Sequence, residues 1–303
     1  FAQRMPFWHC TIRTMARSGT PAGCQVGSEQ PDSESPCMAK KQTKTEGKPT
    51  LTALRRQVDQ LDKQLLKLIN QRAELVVEIG DTKREQQALA YDPHRERKIL
   101  DALQASNKGP LSAAVIESIF REVISGCRAL AAPSRIAYLG PEFSYSHQAA
   151  LQRFGQSATL VSVGTIAAVF DEVISGVADF GLVPMENSTD GRIADTLTMF
   201  ARTPARICGE VQLRIHHNLL GQGPRSAVKE VYSKPQALSQ CRDWLAKHLP
   251  QASLHETAST TAAAEIAAKK KNAAAVAGKL AGQHYGLEVI APNIEDNPYN
   301  VTR

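Results

Sequence analysis

Apolar residues recur at Leu51, Leu54, Val58, Leu61, Leu65 and Leu68, in alternating steps of three and four. That spacing is a heptad seam and predicts one long amphipathic helix. Neither Gly nor Pro interrupts residues 51–79, and Thr50 or Thr52 is placed to cap the start. Continued to about residue 87, the helix would be ~55 Å long at 1.5 Å per residue. A small monomer cannot cover that length, so a partner surface is implied. Where the next apolar residue is due the seam carries Arg72, then resumes with Leu75, Val76 and Ile79. Lys83 lies about 20° round an ideal helix from Arg72 and shares its face. Arg55 lies about 100° away and could join them only from a partner's copy. A guanidinium on a buried stripe must meet an anion, from a ligand or from an internal Asp or Glu.

Two shorter helices follow. Asp92 is a good N-cap with Pro93 at N1, leading into Ile99, Leu100 and Leu103. Asn107-Lys108-Gly109 breaks that helix, and Pro110 is expected to open a third, with Val115, Ile116, Ile119, Phe120, Val123 and Ile124 on one side. Residues 49–131 thus read as an all-α unit of three helices, and 131–134 as a linker. Beyond it the pattern changes. Short apolar runs predict strands at 135–139, 158–163, 178–183, 210–215 and 228–233, with further runs at 273–277 and 287–290. Helices are expected at 146–154, 165–173, 235–249 and 258–271. Alternation of this kind predicts an α/β unit with a substantially parallel sheet over 133–303.

Charge narrows the function classes. The formal net charge is +6 and the pI about 9.0, but half of that excess lies in residues 38–48. The rest of the chain is nearly neutral and aromatics are only 5%, which argues against a nucleic-acid partner. No run approaches the ~18 apolar residues of a membrane span. The six cysteines show no Cys-x-x-Cys pair and no His at metal-ligand spacing. Buried reduced thiols in a cytoplasmic protein are expected for Cys127, Cys208 and Cys241. Residues 1–37 show no periodicity, and 1–48 are expected to be disordered or a non-native extension. Met38-Ala-Lys-Lys resembles an ordinary bacterial start, preferred here over a transit peptide suggested by Arg4, Arg13 and Arg17.

Particular residues in 49–131 resemble the all-helical class of chorismate mutase: Leu-x-x-Leu-Arg (51–55), Asp62, Gln71-Arg72, Glu78-Ile-Gly-x-x-Lys (78–83) and Asp92-x-x-Arg-Glu-Arg (92–97). The resemblance implies an intertwined three-helix homodimer. It implies a dicarboxylate substrate held by Arg72, Lys83, Arg95 and, across the dimer, Arg55, with Asp92 on the substrate hydroxyl and Glu96 flanking. The rearrangement of chorismate is pericyclic, so the implied site clamps a conformer and steadies charge on the ether oxygen. On the third helix, Cys127 and Ala131 stand where that family has a small polar residue and then Gln or Glu. Ala131 cannot hydrogen-bond an ether oxygen.

Residues 133–303 carry five polar clusters at expected strand ends, where open α/β sheets place ligands. Together they resemble prephenate dehydratase. The motifs are Gly-Pro-Glu with Ser-x-x-Ala-Ala (140–150), Val-Pro-x-Glu-Asn-Ser (183–188), Gly-Glu-Val (209–211), Tyr-Ser-x-Pro-Gln-Ala-Leu-x-Gln-Cys (232–241), Ser-Thr-x-x-Ala-Ala (259–264) and Asn-x-Thr-Arg (300–303). The resemblance implies two α/β lobes like a type-2 periplasmic binding protein, with the site in the cleft. It makes Thr302 the essential threonine and Ser144, Ser146, Asn187, Ser188, Ser233, Gln240, Ser259 and Thr260 cleft residues. Phe143 replaces a usual glycine and Lys234 a usual histidine. Arg303 is expected to meet a carboxylate, and Glu186 is the nearest titratable group in a motif. No metal or cofactor is expected. A mutase followed by a dehydratase is the order of the bifunctional bacterial phenylalanine-pathway enzyme, here expected to stop before its phenylalanine-sensing ACT domain. The competing readings are a two-lobed small-molecule sensor with a degenerate helical dimer, and an arogenate dehydratase.

Overall fold

The computed structural model describes residues 50–86, 92–189 and 191–303. The expectations for residues 1–48 fall outside the described residues. α1 (Leu51–Glu85) is the long seam helix. Its heptad leucines stand largely exposed, Leu61 at 57%, Leu65 at 55% and Leu68 at 60%, so this face is unpaired within the single chain. α2 (Pro93–Ser106) starts as expected, with Asp92 Oδ1 accepting the Arg95 N–H at 3.0 Å. α3 (Ala113–Ala131) starts three residues later than Pro110, because the Ser112 hydroxyl supplies the cap by accepting from the Val115 N–H. The C-terminal end of α3 packs on α1 at Gly80, where a Cβ would lie 2.9 Å from the Ala131 Cβ.

The linker is not a free hinge. The Arg128 guanidinium on α3 donates to the Phe154 carbonyl at 2.6 Å, while Glu122 and Ser125 accept the Gln156 and Ser157 N–H groups. The first bond caps a terminal carbonyl of α4 (Tyr145–Phe154), the helix that follows β1 (Arg135–Leu139), and the other two pin the turn just after it. Then come β2 (Thr159–Val163), α5 (Ile166–Ile174) and β3 (Phe180–Leu182). β1 lies between β2 and β3, parallel to both, with Ile136, Ala137 and Tyr138 almost fully buried.

β4 (Glu186–Asn187), β5 (Gly191–Arg192), α6 (Ala194–Arg202) and β6 (Leu213–Arg214) complete the first pass through this lobe. The second lobe holds β7 (Asn218–Gly221), β8 (Glu230–Ser233), α7 (Pro235–Gln240), α8 (Arg242–His248), β9 (Ser253–Glu256), α9 (Thr260–Lys269), β10 (Ala273–Ala277), α10 (Lys279–His284) and β11 (Glu288–Ala291). Its sheet runs β11-β7-β10-β8-β9. β10 is buried on both faces: Ala274 and Val276 meet the α7–α8 layer, while Ala273, Ala275 and Ala277 meet α9 and α10. Small residues suit a strand with helices packed on either side. The helix expected over 235–249 is broken at Cys241 (φ −120°, ψ 16°). The break lets the Asp296 carboxylate cap α8 by accepting the Asp243 and Trp244 N–H groups at 3.0 Å.

The chain crosses between lobes twice, side by side. It leaves at His216–His217 and returns at Ile294–Asn300, joined by the Ile294 N–H to His217 carbonyl and Ile215 N–H to Asn300 carbonyl bonds, both 2.8 Å. The return delivers β12 (Val301–Thr302), which slots between β4 and β6.

Candidate active sites

The cleft between the lobes is a cavity of about 820 Å³. Two helix N-termini face it from opposite sides. Ser144 caps α4 by accepting from the His147 N–H, and Tyr145 and Ser146 follow it into the cleft wall. Ser259 caps α9 by accepting from the Ala262 N–H at 3.0 Å, with Thr260 next. Exposed Lys234 also lines the cavity. Helix N-termini and a lysine favour bound carboxylates.

The floor of the cleft is a hydrogen-bonded row of uncharged side chains. Register places Thr302 opposite Asn187. Asn187 Nδ2 donates to Thr302 Oγ1 at 2.8 Å and to Asn300 Oδ1 at 2.9 Å. Asn300 Nδ2 donates to Gln240 Oε1 at 2.8 Å, and His217 Nε2 reaches the same oxygen at 2.9 Å. The Tyr145 hydroxyl lies 2.9 Å from His217 Nδ1. Asn187, Asn300 and His217 are buried. Burial holds the His217 pKa below the usual imidazole range. Glu295 fixes this crossing by accepting from the His217 N–H at 2.9 Å and pairing with His216 Nδ1 at 2.7 Å.

The residues expected from the sequence divide into two groups. Ser144, Ser146, Asn187, Gln240, Ser259, Thr260 and Thr302 line the one cavity. Four others point elsewhere. Ser233 is fully buried and donates to the Val276 carbonyl at 2.6 Å, so its hydroxyl serves the second-lobe sheet. The Ser188 hydroxyl donates to the Tyr299 carbonyl and accepts from the Val301 N–H, pinning β12. Arg303 and Glu186 neighbour Thr302 and Asn187 on adjacent strands, and strand alternation turns both to the opposite face. They line a separate cavity of about 510 Å³, where Arg303 Nε meets Glu210 at 3.3 Å. Sequence reading missed His217, Tyr145 and Glu295, and named Asn300 only as part of a motif. The paired His216-His217 directly after an apolar run was the available signal for the crossing. Phe143, in place of a glycine, keeps a left-handed backbone (φ 61°) and stacks on His284 of the other lobe.

In the helical segment Arg72 is the informative side chain. Its Nη1 is buried and has no hydrogen-bond partner among the described residues. Of the two alternatives the sequence left, an internal salt bridge at that atom is therefore absent here. Lys83 lies on the same helix, and its charge acts on Asp92, whose pKa is lowered first by the Arg95 N–H bond and also by Lys83. Arg55 and Arg95 are exposed. Two expected residues depart from the ligand face. Glu96 turns toward α3 and forms an ion pair with Arg128, and burial raises its carboxyl pKa against that attraction. Cys127 is only 3% exposed, which closes it to a ligand. Among the remaining cysteines, Cys241 is buried as expected, and Cys208 is exposed instead. Among the described residues, no group of three or more His, Cys, Asp or Glu is arranged to hold a metal ion. Nor is any helix among them long and apolar enough to cross a membrane.

Both segments match known families. The prephenate dehydratase family matches residues 136–303, and the chorismate mutase type II family matches residues 54–132. The bifunctional chorismate mutase/prephenate dehydratase of Stutzerimonas stutzeri is 42% identical over 260 residues, 84% of this chain and 71% of that protein. The protein of the same description from Neisseria gonorrhoeae is 41% identical, over 82% of this chain and 69% of its own. Among solved structures, prephenate dehydratase from Arthrobacter aurescens, in complex with L-Phe, aligns with a TM-score of 0.51 and 31% identity, over 55% of this chain and 58% of that one. With an all-helical segment, a two-lobed α/β segment and relatives matched across both, the chain belongs to the bifunctional chorismate mutase/prephenate dehydratase family.

Proposed function

We propose that this chain is a cytoplasmic enzyme of phenylalanine biosynthesis with two sites, a mutase at 49–131 and a dehydratase at 133–303. The first rearranges chorismate to prephenate. The second converts prephenate to phenylpyruvate. The observation that carries the dehydratase reading is Thr302 beside Asn187 in a cleft faced by two helix N-termini. Breaking the ring carboxylate's C–C bond releases carbon dioxide and sends the electron pair into the ring. The ring hydroxyl leaves on the far side and takes up a proton as water. The site's task is to hold two carboxylates and hydrogen-bond the departing oxygen. The N-termini of α4 and α9, with Lys234, suit the first need. Thr302 suits the second, since Asn187 Nδ2 already donates to its oxygen and leaves the hydroxyl proton for the cleft.

For the mutase, the unpartnered Nη1 of Arg72 supports a carboxylate ligand. The exposed α1 seam supports a homodimer in which a second copy covers it and Arg55 of the partner subunit completes the site. The test is the purified chain with chorismate, then with prephenate, following phenylpyruvate. Both substrates should be consumed, and sedimentation should give a dimer. Arg72→Ala should abolish chorismate consumption and spare prephenate turnover. A sensor without activity on either substrate would sink the reading.

A further inference from the structure

The row of amides in the cleft floor has a direction, and one backbone group sets it. The Thr189 N–H donates to Asn187 Oδ1 at 2.9 Å. A backbone N–H cannot accept, so Asn187 cannot be turned end for end. Its Nδ2 must therefore face Thr302 and Asn300, and its two protons go to Thr302 Oγ1 and Asn300 Oδ1. That orientation forces the next one: Asn300 Nδ2 faces Gln240 Oε1. An oxygen at that place forces the last: the ring nitrogen that meets it, His217 Nε2, has to carry a proton. Four side chains are thus ordered in one sense, from a peptide N–H in the first lobe to a histidine at the crossing into the second.

Resting on the dehydratase reading above, we propose that His217 is a positioning residue of that site. It is held as the neutral Nε2–H tautomer, and it locks Gln240 and through it Asn300, which together with Thr189 hold the Asn187 amide on Thr302 Oγ1, so that the Thr302 proton is left for the cleft. Tyr145 completes the lock. Its hydroxyl lies 2.9 Å from both His217 Nδ1 and the His216 carbonyl, and with Nδ1 bare its single proton goes to the ring nitrogen. The histidine is 3% exposed and its pKa lies below the usual range through burial, in keeping with a neutral ring at pH 7. His217 does not transfer the proton itself, because its Nε2–H is spent on Gln240. It acts through three amides on the group that meets the substrate.

The device also explains an otherwise costly arrangement. Asn187, Asn300 and His217 are three buried polar side chains, and a bond left unmade among them would leave a desolvated polar group without a partner. A reversed Asn300 or Gln240 would set two donors face to face, and the repulsion would push the Asn187 amide, whose own orientation Thr189 fixes, away from Thr302.

The experiment is ¹⁵N NMR of histidine-labelled full-length chain at pH 7, with the His217 signals assigned by their loss in His217→Gln and by their shift in Tyr145→Phe. The expected spectrum has a protonated Nε2 and an unprotonated Nδ1. A proton on Nδ1, as the other neutral tautomer or as imidazolium, overturns the proposal. Kinetics supply the second arm. His217→Leu should lower kcat for phenylpyruvate formation by about 10-fold or more, with KM for prephenate changed less than about threefold, because positioning at the reacting atom is lost and carboxylate binding is not. His217→Gln, which keeps an N–H toward Gln240, should recover most of kcat. Chorismate turnover in the same preparation reports folding. Equal loss in the Leu and Gln variants, with mutase rate intact, would also overturn the proposal. If the unsubstituted chain formed no phenylpyruvate, the reading of the activity would fail, while the tautomer result would still decide the direction of the row.

Discussion

Replacing Thr302 by Val keeps the shape of the side chain and removes its oxygen. Two interactions go with it. One is the 2.8 Å bond from Asn187 Nδ2, a neutral bond whose loss leaves one amide proton unpaired beside a cavity open to water, at a stability cost of about 1 kcal/mol. The other is the donor aimed at the departing hydroxyl. Removal of one such pre-aimed donor typically costs about 2.7–4 kcal/mol at the transition state, or roughly 10²–10³ in kcat. The two magnitudes separate the roles: a well-folded chain with a nearly dead dehydratase. The assay is phenylpyruvate formation at saturating prephenate, with chorismate consumption by the same sample as internal reference. Thr302→Ser, which restores acceptor and donor, should return to within about 10-fold of the parent rate. A Val variant retaining more than a fifth of the parent kcat would refute the assignment of the hydroxyl. Equal loss of mutase rate would instead mark a folding defect.

Further outcomes follow from the same geometry. Gly155 sits at φ 78°, ψ 177°, a region almost closed to other residues, and a Cβ there would come within 2.5 Å of Ser125. Gly155→Ala should destabilise the chain by about 2–4 kcal/mol in chemical denaturation, and a change below about 0.5 kcal/mol would refute the packing argument. His147 and His217 both have pKa values lowered by burial from an ordinary 6.5. Unfolded rings therefore bind protons below about pH 6.5 that the folded rings refuse, so stability should fall as pH drops from 7 toward the folded pKa values. The thermal midpoint should decline over that window, and less steeply in His217→Gln; identical slopes would exclude His217 from the linkage. Phe143→Gly removes the stack on His284 that joins the lobes and should raise KM for prephenate more than it lowers kcat. An unchanged KM would show that this stack does not set cleft closure.

Legibility in the sequence followed the length of the signal. The heptads of α1 and the Asp92-Pro93 start of α2 were legible because period and cap agree over many residues. The β4, β5, β6 and β12 strands have two residues each, too few for a period of two to show, yet they carry Asn187 and Thr302. Ser233 and Ser259 are both expected at the cleft from the dehydratase resemblance. One is buried against the Val276 carbonyl and the other caps a helix at the cleft. Pleat and neighbour decide between them, and both are tertiary facts. Glu96 is expected to flank the site from the chorismate mutase resemblance alone. Its partner Arg128 lies 32 residues away on a helix whose packing no local pattern states.

The junction between the segments bears on how two sites share one chain. Three bonds from α3 reach the carbonyl of Phe154 and the N–H groups of Gln156 and Ser157, all at the C-terminal end of α4. The N-terminal end of that helix presents Ser144, Tyr145 and Ser146 to the cleft. α4 has ten residues and so spans about 15 Å. A helix of that length does not stretch, so the placement of α3 relative to the cleft wall is governed by α4, whatever the linker at 132–134 permits. Tyr145 donates at the cleft end to the His216–His217 crossing, and Arg128 at the far end is paired with Glu96 of α2. The helical segment is therefore fastened to a helix of the first lobe that also touches the row ordering Thr302. A substitution that breaks the Arg128 bonds acts at the foot of α4. It should disturb the dehydratase only as far as it tilts Tyr145, which makes the pair Arg128→Ala and Tyr145→Phe non-additive if the helix moves as a unit.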